Sequence, residues 1–333
     1  MTSMQPEEPV RDSVRKYAAL RPSLVAPTHQ ALELVTSMLD EAGINYLSVS
    51  SRTKSVASFA AKAARVLERT PDADPLDAIT DQIGVRVITY VHSDVEAVAG
   101  VFSDALVILD DRDMGLETAS EGRFGYSSRH LLVELGERTP APFRDLIGLR
   151  VSMQLRTVLQ HAWAEFEHDV RYKGTVPESL APDLDRRFTL AAGLLELADQ
   201  EFATIRAALQ ANAPSTPAEA DPIDPRISAS ELATFLAAAY ADAGWSHTDH
   251  YGWISGLLLE LGITSLDELA GLLTSVDSDA IISRMGYRYP AGAVRRLDDA
   301  LLAIFGDQYV RLTGNAHRVP MLQARLETLR EVP

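Results

Sequence analysis

The sequence predicts a mixed α/β fold: a sheet flanked by helices, followed by an all-helical C-terminal region. Three observations carry this. The run "IGVRVITYV" at 83–91 is β-branched and almost continuously apolar, as a central strand is. The run "VSMQLRT" at 151–157 alternates strictly, as a strand with one buried face does. Residues 226–333 read as helices throughout, with breaks at "GWSHTDHYGW", "LGITS", "YRYPAG" and "LTGNAHRVP".

The elements follow in order. Residues 8–42 read as helix, interrupted near Pro22 and Pro27 and closed by Gly43. "INYLSVSS" at 44–51 is a short β-like run, and 55–70 and 95–105 read as helices on either side of the central strand. Residues 109–124, "LDDRDMGLETASEGRF", are polar and contain glycine, so they read as a loop. Strands are expected at 127–135 and 148–155, and helices at 156–173 and 184–210. "ANAPSTPAEADPIDP" at 211–225 is rich in Ala, Pro and acid, the composition of a linker. The expected organisation is therefore a domain over 1–210, a linker over 211–225 and a helical domain over 226–333 without an assigned role.

Composition excludes several classes. At 333 residues the chain has room for two domains, and 46% apolar with 23% charged residues is ordinary for a soluble globular protein. It has no cysteine, which rules out disulfides and thiolate metal sites and fits a cytoplasmic location. No apolar run approaches the length of a membrane span. A net charge of −16 argues against gripping nucleic acid through bulk charge, so any phosphate site must concentrate its cations locally.

Such a concentration exists. Arg52 and Lys54 stand where a strand turns into a helix, and Lys62, Arg65 and Arg69 form one stripe along that helix. The stripe alone reads as a solvated face; the turn, with its backbone N–H groups and helix dipole, favours an anion. Asp81, at the mouth of the central strand, reads either as a turn cap or as a Mg²⁺ ligand working with substrate phosphates. Arg86, inside an apolar strand, needs an ion-pair partner or a ligand. Tyr126 reads equally as a ring packed at a strand start or one presented to a flat ligand. His161, Glu165 and His168 share helical spacing, but not the H-E-x-x-H pattern, and the bland reading is preferred; Trp163, Phe166 and Val170 read as core. No Walker A, G-x-G-x-x-G or G-x-S-x-G motif is present. The polar face of "VSMQLRT", with Arg150, Ser152, Gln154 and Arg156, is unlike an ordinary solvated strand face.

In chain order these pieces resemble the synthetase domain of the RelA/SpoT family, the alarmone (ppGpp) synthetases. Arg52-x-Lys54-x₃-Ser58-x₃-Lys62 resembles that family's R-x-K-x₃-S-x₃-K signature, "DQIGVRVI" its D-x-x-G-[VI]-R strand, "GYSSRH" its G-Y-x-S-x-H segment, and "MQLRT" with "HAWAEFEH" its Q-[IV]-R-T segment and the helix behind it. The resemblance spans roughly residues 40–175 and implies a nucleotidyltransferase-like mixed sheet wrapped by helices. It implies Mg²⁺-dependent transfer of the β,γ-pyrophosphate of ATP to the ribose 3′-OH of GDP or GTP. By position, Arg52, Lys54, Ser58 and Lys62 would bind ATP phosphates, Arg86 would stack on adenine, and Asp81 would be the catalytic acid and metal ligand. Tyr126 would stack on guanine; His130, Gln154, Arg156, His161 and Glu167 would complete the GDP/GTP pocket. Few residues precede the motif core, so a small, single-function type without the family's hydrolase domain is expected, with a homo-oligomer through helices as an associated expectation.

The sequence departs from the pattern at one catalytic position. Aligning Gln154, Arg156 and Thr157 puts Ser152 where the family carries a glutamate. A serine cannot replace a carboxylate as general base. Gly122, Arg123 and Phe124 also stand where long members carry lysine and asparagine before G-Y. Two further readings follow: a catalytically impaired nucleotide-binding regulator, and a relative that modifies adenine nucleotides or tRNA.

Overall fold

The computed structural model describes residues 8–115, 128–173, 181–211, 224–287 and 291–330. The chain forms two compact units. One comprises Met1–Ser37, Leu47–Val95 and Phe102–Asp199; the other comprises Met38–Tyr46, Glu96–Val101 and Gln200–Pro333. The expected linker lies, apart from its ends, outside the described residues.

The first unit contains α1 (Glu8–Ala42) up to Ser37, β1 (Tyr46–Thr53) from Leu47, α2 (Val56–Arg69), α3 (Pro75–Ala78) and β2 (Ile83–Thr89). After α4 (His92–Ala105) come β3 (Val107–Asp113), β4 (Arg129–Glu134), β5 (Arg150–Thr157), α5 (Val158–Lys173) and α6 (Ala181–Ala211), which enters the second unit at Gln200. The five strands lie in the order β1-β2-β5-β4-β3, with β2 parallel to β5 and the β5–β4 and β4–β3 pairs antiparallel. One face is core: Val85, Val87, Leu131, Val133, Val151, Met153 and Leu155 are at most 1% exposed. The alternate residues form the other, more open face.

Two expectations need correction. The helix does not break at its prolines: α1 runs continuously through Pro22 and Pro27. Each proline removes one helical hydrogen bond, but tertiary anchors hold the segment. Tyr17, fully buried, stacks on Phe59 with ring centroids 4.1 Å apart, and the Tyr17 hydroxyl and Arg21 Nε both donate to the Lys54 carbonyl. The start of the expected 109–124 loop is strand β3. A register shift between Ile108 and Asp110 breaks its period-two alternation, which hid it in the sequence. The rest of that loop, 116–124, lies outside the described residues.

The second unit is helical, with α7 (Ala229–Ala239), α8 (Thr248–Glu260), α9 (Leu266–Leu273), α10 (Ser278–Met285), α11 (Ala293–Phe305), α12 (Asp307–Val310) and α13 (Val319–Arg330). Its core joins Leu232, Leu236, Ile254, Leu257, Leu297, Leu301 and Leu322. It also takes in the end of α1. Gly43, at φ +67°, ends that helix, and its backbone lies so near Gly292 that a Cβ at 292 would fall 2.0 Å from the Gly43 oxygen. Arg295 Nη1 donates to Glu41 Oε1 at 2.7 Å, and Arg325 Nη1 reaches the same atom at 2.9 Å. Arg318 and Arg325 both donate to Asp298, and Arg295 and Arg325 to Asp299. Among the described residues no helix is long and apolar enough to cross a membrane.

Candidate active site

The turn from β1 to α2 is fixed before any ligand arrives. Ser55 caps α2, its Oγ accepting from the Ser58 backbone N–H at 3.1 Å and donating to Ser58 Oγ at 2.8 Å. The Lys54 N–H donates to the Gln82 carbonyl, which ties the turn to the start of β2. Ser58 is thus engaged in the cap, while Lys54 is aimed at Asp81.

Lys54 Nζ lies 2.6 Å from Asp81 Oδ2, and Lys62 Nζ, from the next turns of α2, lies 2.9 Å from Oδ1. Lys54 is buried and Asp81 half-buried, whereas Lys62 remains 41% exposed. Burial pushes the Asp81 carboxyl up, but the two ammonium groups outweigh it and hold it below the ordinary carboxylate range. Asp81 is therefore ionised at neutral pH.

A second cluster gathers around Arg156, which is only 5% exposed. Burial, then repulsion from Arg86 and also Arg52, lowers its guanidinium to about 10; Glu165 opposes that shift. Arg86 Nη1 donates to Glu165 Oε1 at 2.9 Å, and His161 Nδ1 stands 3.7 Å from the same oxygen. Burial first, and the Arg86 charge next, lowers His161, so its ring is neutral at neutral pH. The Arg52 side chain passes over Gly84, where a Cβ would stand 3.6 Å from Arg52 Cγ.

The strand register lines up the open face. Arg86 faces Gln154, Gln154 faces His130, and His130 faces Arg112, giving one row of polar side chains across four strands. The next row is Gly84, Ser152, Leu132 and Asp110. His130 Nε2 lies 2.9 Å from Ser128 Oγ.

The structure thus brings together Lys54, Lys62 and Asp81; Arg52, Arg86, Arg156 and His161; and Arg86, His130 and Gln154. Ser152 occupies the neighbouring row with no carboxylate directly beside it on β2 or β4. Glu167 is half-buried on α5, the helix that carries His161. Tyr126 lies outside the described residues. Two residues escaped the sequence reading of the site. Glu165, noted only for its spacing from His161, is the partner of Arg86; a carboxylate four residues after His161 on a helix facing a buried-strand arginine was the available signal. Arg112 was hidden in an apparent loop. Phe166, expected in the core, is 57% exposed, while Trp163 is buried. Phe166 sits at the outer side of the aromatic group, its ring 6.1 Å from both Trp163 and Phe188.

Residues 51–176 match the family described as the region found in RelA/SpoT proteins. Over 166 residues the chain is 28% identical to the GTP pyrophosphokinase YjbM of Bacillus subtilis, covering 49% of this chain and 72% of that protein. It is 29% identical over 146 residues to the GTP pyrophosphokinase YwaC of the same organism, covering 42% and 66%. Among solved structures it is similar to the small alarmone synthetase 1 from Bacillus subtilis bound to its product pppGpp, with 25% identity and a TM-score of 0.44, covering 57% of this chain and 97% of that one.

Proposed function

We propose that this chain, whose residues 51–176 match the region found in RelA/SpoT proteins, is a small alarmone synthetase, moving the β,γ-pyrophosphate of ATP to the ribose 3′-OH of GDP or GTP. One observation carries the reading: in a chain of net charge −16, the β1–α2 turn and the sheet face beside it gather Arg52, Lys54, Lys62, Arg86 and Arg156, with Lys54 and Lys62 Nζ held 2.6 and 2.9 Å from the Asp81 oxygens. Cations concentrated in this way suit phosphate groups.

In this reading Arg52, Lys54 and Lys62 receive the ATP phosphates, with Ser58 at the cap beside them. Arriving phosphates draw the two lysines off Asp81, which turns it to a bound cation. The site fits Mg²⁺ in this form: Asp81 is ionised, and Mg²⁺ is satisfied by one or two carboxylates with substrate phosphates and water. Among the described residues no group of three or more acidic or histidine ligands is preassembled, so the phosphates must supply the remaining ligands. The ion supplies charge neutralisation. Arg86 exchanges Glu165 for the adenine face, and His130, Gln154, Arg156, His161, Glu167 and Tyr126 take the acceptor nucleotide.

The test is thin-layer separation of products from labelled ATP incubated with GDP, GTP, ADP or tRNA, with and without Mg²⁺. Label appearing on GDP or GTP only with Mg²⁺ is the expected result. The neutral Ser152 favours a second reading, a regulator that binds nucleotides without turnover. Retained ATP and GDP binding with no product on any acceptor would select it.

A further inference from the structure

We infer that Glu134 is the second acid of this site, the proton acceptor for the attacking hydroxyl, doing from β4 what a carboxylate at 152 would do from β5. This rests on the pyrophosphate-transfer reading above.

Glu134 shares the open face with Ser152. Leu132 is the direct partner of Ser152, and Glu134 is the direct partner of Arg150, so Glu134 is the diagonal neighbour of Ser152. Diagonal neighbours stand about 7–8 Å apart, within reach of a long side chain. Glu134 also sits at the correct end of the sheet. It closes β4 opposite the first residue of β5, and Asp81 lies two residues before the start of β2, which runs parallel to β5. The two acids therefore flank the same end, with the small residues Gly84 and Ser152 in the row between them and the Arg52 side chain over Gly84.

Among the described residues, the carboxylates of β3 and those at positions 81 and 165 are placed or engaged elsewhere. Asp111 and Asp113 pair with Leu131 and Arg129, on the opposite face, and Asp113 Oδ1 accepts from the Gly115 N–H. Asp110 is on the open face, but the β4 residue Leu132 stands between it and Ser152. Both oxygens of Asp81 hold lysines, and Glu165 holds Arg86. Among the described residues the Glu134 carboxylate makes a long 3.4 Å contact with Arg150 Nε, in a pair 35% and 55% exposed, and such a contact yields readily to a ligand.

In the step itself, the Glu134 carboxylate takes the acceptor hydroxyl proton as that oxygen attacks the β-phosphorus of ATP. The new O–Pβ bond forms, the bond from Pβ to the bridging oxygen of the α-phosphate breaks, and its electron pair leaves on AMP. Glu134 then returns the proton to solvent.

The experiment measures kcat and ATP affinity for wild type, Glu134→Gln, Ser152→Glu, the double variant, Arg150→Gln and Asp110→Asn. Loss of a general base costs about 10²–10⁴-fold, so Glu134→Gln is expected to lose kcat on that scale while binding ATP as wild type does. Ser152→Glu in that background restores turnover. Arg150→Gln, which breaks the ion pair and keeps the carboxylate, stays active, as does Asp110→Asn. Wild-type kcat in Glu134→Gln, no rescue by Ser152→Glu, or an equal loss in Arg150→Gln or Asp110→Asn overturns the inference. An inactive wild type with an active Ser152→Glu also overturns it while leaving the transfer reading standing. Inactivity of both removes the transfer reading and the inference together.

Discussion

In the helical unit Arg295, Arg318 and Arg325 meet Glu41, Asp298 and Asp299; on the sheet face Arg86 meets Glu165, with Arg156 and Arg52 beside it. The first set is three cations against three anions, buried except for the half-buried Glu41. Tyr309 adds its hydroxyl to Asp298 at 2.5 Å, and Arg318 lies 4.3 Å from the Trp253 ring centroid. The second set is more open: Arg86 is half-buried and its partner Glu165 is exposed. The difference teaches what burial asks of an ionic cluster. Buried charges persist when opposite charges surround them, and even so burial pushes Asp299 up to about 6; on the sheet face burial and the Arg86 charge lower Arg156 instead, a perturbation of the kind that recurs at functional sites.

The largest expected effect breaks the closed cluster. Asp298→Ala removes the carboxylate to which buried Arg318 and Arg325 both donate, leaving Arg318 a 3.9 Å approach to Glu41 and Arg325 its contacts with Glu41 and Asp299, and removal of one partner from a buried pair costs about 3–5 kcal/mol. Urea unfolding should show that loss; a change within error would mean that the cluster is not structural. Next comes the open cluster. Lys54→Ala should weaken ATP binding by about 1.5–3 kcal/mol, the worth of a hydrogen bond to a charged group, with a smaller change in melting temperature than Asp298→Ala. Unchanged affinity in calorimetry would return the lysines to a purely structural role.

A pH series sharpens the contrast further. Asp81 is held below its ordinary value, so its ionised form favours folding. That contribution is present above about pH 3.9, the unfolded value, and is lost as pH falls through the folded one. The stability gap between wild type and Asp81→Asn should therefore narrow on acidification; a constant gap would show that the two lysines do not depress Asp81. The smallest effect is at His161, whose titration Glu165 raises against burial and Arg86. In Glu165→Gln the His161 ring signals, followed by NMR, should titrate at still lower pH. An unmoved midpoint would separate the two residues in solution.

The candidate site residues could be picked out in the sequence because each motif occupies a short contiguous segment, from the β1–α2 turn to the β5–α5 junction. The central strands declared themselves by unbroken apolar or alternating runs. What stayed hidden depended on register. The row from Arg86 to Arg112 joins residues from four segments, and the bulge after Ile108 scrambled the alternation that would have exposed its last member. The prolines of α1 misled for the opposite reason, since local propensity pointed to a break that contacts of Tyr17 and Arg21 with a distant turn override. Nothing near Glu41 announces partners more than two hundred residues away.

That separation has a consequence for how the chain is made. Arg295 grips Glu41 across 254 positions, and the seat at Gly43 is formed by Gly292. At about 5–20 residues per second, the ribosome needs roughly 12 to 50 seconds between producing the two halves of this contact. During that interval the end of α1 has no partner to receive Glu41, and closing so long a loop is slow. Synthesis should therefore leave the sheet unit's own elements formed first and the second unit to close last, after the C-terminal helices emerge. Variants that delay that closure would appear as losses of yield before they appear as losses of activity.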